Sequence, residues 1–361
     1  MSDKNLKQEA SKIKVDDTLQ ACPIDFSQSS VANPRAHKKQ KEYQNGKIKS
    51  NFNQREKYAA YQGPEFKKKF TDGTLPVEKD RYRLVWSRHC PWANRIAIAI
   101  DLLGLNDVIS KGVVDPLRPA GVVGDWFFTL DKDNVDPVLK IHSLGEAYRK
   151  ADPDYQKRAT VPALVDIKTG KVVNNDYNEL VKEFSLAWKD YIAPDAPDLY
   201  PAAIREDIDN LSNIILMEIN YAVNEAGHGR SQADYQKWYD IIFNRLDWLE
   251  ERLSKQRYLL GDKLTLVDIN LYVTLARFDL VFYQKYYVNK KRLVDYPNLW
   301  NYAKDLYSIP AFGKNTNFTS MRQRFYEIDH TPQADLPRII PIGPDDSIWE
   351  EPNDRAEKFG K

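Results

Sequence analysis

Cysteine is scarce in this chain: Cys22 and Cys90 are its only two among 361 residues. So few sulfurs exclude a disulfide-stapled scaffold and a cysteine-built zinc site. A Cys-x-x-Cys dithiol is excluded too, because Ala93 stands three places after Cys90. No sign of charge is in excess, since 53 Lys and Arg against 52 Asp and Glu leave a net +1. That balance gives no electrostatic case for a nucleic acid or another polyanion. Long apolar runs are also missing. No stretch approaches the roughly 20 residues of a membrane span, and the N-terminal segment has no apolar signal core, so a soluble, cytoplasmic protein is expected. His142 and His228 show no paired ligand spacing, and no metal is assigned. What the chain does have is length for two domains and, at 42% hydrophobic and 12% aromatic, material for a large core.

Cys90 is the most informative residue. It lies in Trp86-Ser87-Arg88-His89-Cys90-Pro91-Trp92-Ala93, after the apolar run Leu84-Val85-Trp86 and before an Ala- and Ile-rich run at 96–103. The order reads as strand, tight turn, helix. Proline suits a first helical position, where no amide donor is needed. Cys90 then falls at or beside the N-cap, where the helix dipole and unpaired N–H groups favour a thiolate. Arg88 and His89 add candidate positive charge. The inert alternative is a core cysteine.

The remaining pattern divides the chain into an N-terminal arm at 1–78, an α/β domain at 79–191, a helical domain at 200–325 and a surface tail at 326–361. A strand at 82–87, a helix at 91–103 and a strand near 109–115 precede a long insertion at 116–157. A strand entered through Pro162 follows, then a Lys168-Thr169-Gly170-Lys171 turn, Val172-Val173 and a helix at 177–188. The βαβ-then-ββα order is that of a thioredoxin-like domain, in which the proline corresponding to Pro162 is usually cis. A Pro- and Asp-rich linker at 192–201 leads to helical periodicity at Ile204, Ile208, Leu211, Ile215 and Ile219. Thr265 and Asp268 fit a capping box. The fold class expected is a thioredoxin-like α/β domain followed by an all-α domain.

That plan resembles the glutathione transferases. Within them the chain resembles the glutathionyl-hydroquinone reductases, the Xi class. The matching pieces are Cys90-Pro91-Trp92-Ala93, Gly124-Asp125-Trp126-Phe127-Phe128, Arg158-Ala159-Thr160-Val161-Pro162, Arg277-Phe278-Asp279, Asp295-Tyr296-Pro297-Asn298-Leu299 and Ile339-Ile340-Pro341-Ile342-Gly343-Pro344. The resemblance spans roughly 55–345. It implies a homodimer that uses glutathione as co-substrate and binds an aromatic or electrophilic acceptor. It makes Cys90 the nucleophile, forming a mixed disulfide with glutathione that a second glutathione resolves. It places Trp126, Arg158, Val161, Asp176 and Tyr177 at the glutathione site.

The sequence departs from the family in three places. Asp176-Tyr177 replaces a Glu-Ser pair, and Asn224 and Phe282 stand where the family has tyrosines of the acceptor site. Tyr283 and Tyr286 are near enough in sequence to substitute. Read without the family, Asp176 is explained by helix capping alone. Two other readings stay open: conjugation of glutathione to electrophiles, which a cysteine disfavours, and a non-catalytic binding protein of the same fold. A different small thiol in place of glutathione also remains open.

Overall fold

The computed structural model describes residues 65–117, 124–327 and 339–360. The arm up to residue 64, with Cys22, lies outside them.

The first half is built on a four-stranded sheet in the order β2-β1-β3-β4, with β1 Tyr82–Trp86, β2 Ile109–Val113, β3 Ala163–Asp166 and β4 Lys171–Asn174. β1 runs parallel to β2 and antiparallel to β3, and β3 pairs antiparallel with β4. Every β1 residue is buried, as expected for a central strand covered on both faces. Its one charge, Arg83, is matched by buried Asp136, which accepts from Nε at 2.9 Å and Nη2 at 2.8 Å. Gly112 on β2 makes that pair possible, since a Cβ there would lie 2.8 Å from both groups.

α1 Pro91–Leu102 leaves β1 through the Cys90 turn and is buried from Ala93 to Ile100. It packs on α3 Leu180–Ala187 of its own half and on α7 Leu266–Leu275 of the helical half. The 116–157 stretch is not all loop. It holds α2 Leu144–Ala151, started by a Ser143/Glu146 capping box. Residues 65–78 pack on this half: Lys67 bridges to Asn174, and Glu183 accepts from the N–H groups of Phe70 and Thr71.

In the helical half, α4 Arg205–Ile215 runs through a π-helical stretch, Leu216–Tyr221, into α5 Ala222–Gly227. α6 Gln232–Leu253 and α7 follow, and the Thr265/Asp268 capping box starts α7 as expected. α7 stops at Leu275, and a second π-helical stretch follows at Phe278–Phe282. α8 Pro297–Ser308 and α9 Phe318–Arg322 lead into a third, Gln323–Glu327. The C-terminal segment does more than run along the surface. Trp349 is buried against Tyr272, Trp300 and Phe318, and buried Arg355 donates to the carbonyls of Leu253, Gln256 and Arg257. None of the described helices is long and apolar enough to cross a membrane.

Candidate functional site

Cys90 is the N-cap residue of α1, with Pro91 in the first turn. It is a free thiol, 8% exposed. Its Sγ lies 3.7 Å from the carbonyl of Val161, the residue before the cis Val161–Pro162 bond. The N–H groups of Trp92 and Ala93 act on the sulfur without closing a capping hydrogen bond. Burial dominates, pushing the thiol above its ordinary value; Ala93, Arg277, Trp92 and Arg95 pull the other way. Burial therefore opposes the thiolate that the helix start favours, and in this geometry Sγ donates to the Val161 carbonyl.

Charge also comes from residues that were not expected. Arg88 is exposed, whereas Arg277, Arg95 and Arg324 act on Cys90. Arg277 is fully buried and donates to the His89 carbonyl at 2.9 Å and the Val273 carbonyl at 2.5 Å. Arg95 donates to Asn220 Oδ1 at 3.1 Å and lies over the Trp92 ring. Burial lowers both guanidinium pKa values to about 10, which still leaves them charged at neutral pH. Sequence reasoning did not connect them with Cys90: Arg277 and Arg324 are 187 and 234 positions away, Arg95, 5 positions on, lies inside the apolar helix, and the Arg277-Phe278-Asp279 motif marked Arg277 without that role.

Trp126 is buried, with its ring 5.2 Å from that of His89, whose Nδ1 lies 2.8 Å from Ser87 Oγ. On the Trp126 ring sits the Arg324 guanidinium, 5.2 Å from the centroid. Next along the chain, Phe325 meets His89, Phe282 and Tyr286. These contacts assemble an aromatic group beside the Cys90 turn from both halves of the molecule.

Arg158 lines a polar cleft of about 360 Å³ with Gly124, Asp125, Arg149, Tyr155 and Lys157. Asp176 does not cap α3, whose N-cap is Glu179. It turns the chain ahead of that helix by accepting from Asn178 N–H at 3.1 Å. Tyr177 stacks on Trp92, 5.0 Å between centroids, and its hydroxyl lies 2.8 Å from that of Tyr221 in the helical half. The residue in the family's serine position is thus engaged in a contact between the halves.

The proposed acceptor residues separate. Phe282 and Tyr286 are buried and stack on each other. Tyr283, one step and about 100° further round, is half-buried and within electrostatic reach of Tyr239 and Arg292. Asn224 spends its amide on the Asn220 carbonyl at 3.0 Å. Three residues further on, Gly227 lets Tyr286 approach, since a Cβ there would lie 2.3 Å from its ring.

Family models for the N-terminal and C-terminal domains of glutathione S-transferases match residues 89–185 and 232–305. The chain is 36% identical over 290 residues to the glutathionyl-hydroquinone reductase YqjG of Escherichia coli, covering 80% of this chain and 86% of that protein. A glutathione-bound structure of YqjG aligns with a TM-score of 0.71 at 35% identity, covering 78% of this chain and 90% of that one. The crystal structure of a glutathione transferase from Gordonia bronchialis aligns with a TM-score of 0.77 at 43% identity, covering 82% of this chain and 91% of that one.

Proposed function

Since the chain belongs to the glutathionyl-hydroquinone reductases, the Xi class of glutathione transferases, we propose that it removes glutathione from glutathionyl-hydroquinones through a Cys90–glutathione mixed disulfide. The observation that carries this reading is the Cys90 sulfur at a helix start, facing the Val161 carbonyl and the charges of Arg277 and Arg95. Those charges and the helix-start N–H groups favour the anion when the proton leaves. Cys90 then attacks the glutathione sulfur, the carbon–sulfur bond breaks and the acceptor takes the proton that Cys90 gave up. A second glutathione attacks the mixed disulfide, yielding oxidised glutathione and the Cys90 thiol. Arg158 offers a guanidinium to a glutathione carboxylate, and the N–H of Val161, which has no hydrogen bond among the described residues, offers the tripeptide a strand-like pairing. Trp126 walls the site, while Asp176 offers a carboxylate to the γ-glutamyl ammonium. Family membership is also the basis for proposing a homodimer, which sedimentation tests.

Incubation with oxidised glutathione followed by intact mass measurement tests the reading. The expected result is a gain of one glutathione in the wild type and none in Cys90→Ala. Hydroquinone release that survives in Cys90→Ala overturns it in favour of a mechanism without this sulfur.

A further inference from the structure

We propose that Arg324 is an anion-binding residue for the acceptor, taking the oxygen on which negative charge gathers when the acceptor leaves glutathione. The inference rests on the cysteine mechanism above and names the chemistry that its acceptor must have.

Arg324 lies in the π-helical stretch Gln323–Glu327, far from the Cys90 turn in sequence. Its guanidinium is nevertheless laid on Trp126, which stacks on His89, the neighbour of Cys90. Phe325, Phe282 and Tyr286 complete the apolar side. Nη1 is buried and has no hydrogen-bond partner among the described residues. No carboxylate among them pairs with Arg324, whereas Arg322, two residues earlier, is paired with Asp346 at 2.7 Å. A buried cationic donor without an acceptor is costly. Its charge acts on Cys90 and Tyr286, so it stands within electrostatic reach of the sulfur. An oxyanion of the acceptor would satisfy Nη1 while the aromatic group covers the ring that bears it.

The chemistry balances. In the keto tautomer of a glutathionyl-hydroquinone, the carbon attached to sulfur lies next to a carbonyl. The Cys90 thiolate forms the sulfur–sulfur bond and the carbon–sulfur pair passes to the conjugated oxygen. The product is a phenolate and the Cys90–glutathione disulfide, and the phenolate takes the proton released by Cys90. The acceptors are therefore those whose oxygen is conjugated to the breaking bond. In a neutral alkyl disulfide the leaving charge stays on the sulfur of the breaking bond and reaches no conjugated oxygen, so that substrate depends less on Arg324.

The test compares kcat/KM for a glutathionyl-hydroquinone with kcat/KM for the mixed disulfide of glutathione and mercaptoethanol. Wild type, Arg324→Gln and Arg324→Lys are measured. The ratio of the two values cancels any loss of folded protein. Arg324→Gln is expected to lower that ratio about tenfold or more, as for a lost charge-assisted hydrogen bond, and Arg324→Lys to restore part of it. An unchanged ratio overturns the role of Arg324, whether both activities fall together or neither falls. A wild type that forms no Cys90–glutathione adduct overturns the underlying cysteine mechanism instead, and the role of Arg324 with it.

Discussion

Arg277 of the helical half donates from Nε to the carbonyl of His89 at 2.9 Å, so a fully buried cation holds the turn that presents Cys90. The same guanidinium lowers the Cys90 pKa against the effect of burial. Replacing it with a neutral chain of similar length, Arg277→Met, is expected to orphan the carbonyls of His89 and Val273 at a cost of about 1–3 kcal/mol. It also shifts the pH profile of Cys90 alkylation upward. Urea unfolding and iodoacetamide kinetics read the two effects. An alkylation profile superimposed on that of the wild type would show that Arg277 has no electrostatic part.

Burial raises the Cys90 pKa in the folded protein. A raised folded-state value contributes stability that is full below the unfolded thiol's pKa and is lost as pH rises through the folded one. Between neutral pH and the alkaline range, the wild type is therefore expected to lose stability faster than Cys90→Ser. The measurement is the difference between the two urea midpoints as pH rises. Parallel curves would mean that the sulfur is not desolvated.

The Tyr177–Tyr221 hydroxyl pair, 2.8 Å apart, joins the loop after β4 to the π-helical stretch of the other half. Phenylalanine at either position is expected to cost about 1 kcal/mol, and the double variant little more than one of them. A double-mutant cycle in urea measures this coupling. Strict additivity would remove the bond from the account of how the halves are held.

Trp349 is buried among Tyr272, Trp300, Tyr307 and Phe318. Trp349→Ala is expected to destabilise the fold by about 3–5 kcal/mol, the usual cost of emptying a large aromatic site. Thermal and urea unfolding measure it. A change below about 0.5 kcal/mol, typical of surface positions, would return the C-terminal segment to the surface role expected from sequence.

The strands and long helices were legible because their signals are local: the buried apolar run of β1, Pro91 after Cys90, and Thr265 answered by Asp268. α2 was legible in principle, since Ser143 and Glu146 spell a capping box, but its eight residues are masked by turn residues before it. The interruptions at Leu216–Tyr221 and Phe278–Phe282 were not, because their apolar residues keep a helical period while the hydrogen bonding shifts.

Sequence alone determined where the nucleophilic candidate sits, at the join of β1 and α1, and which aromatic and cationic residues were available. Only tertiary structure decided the state of that sulfur and its company. Burial of Cys90, its donation to Val161 and the approach of Arg277 and Arg324 all depend on chain segments remote from it. A helix start is written in neighbouring residues, whereas desolvation and charge act through space and depend on the packing of the whole molecule.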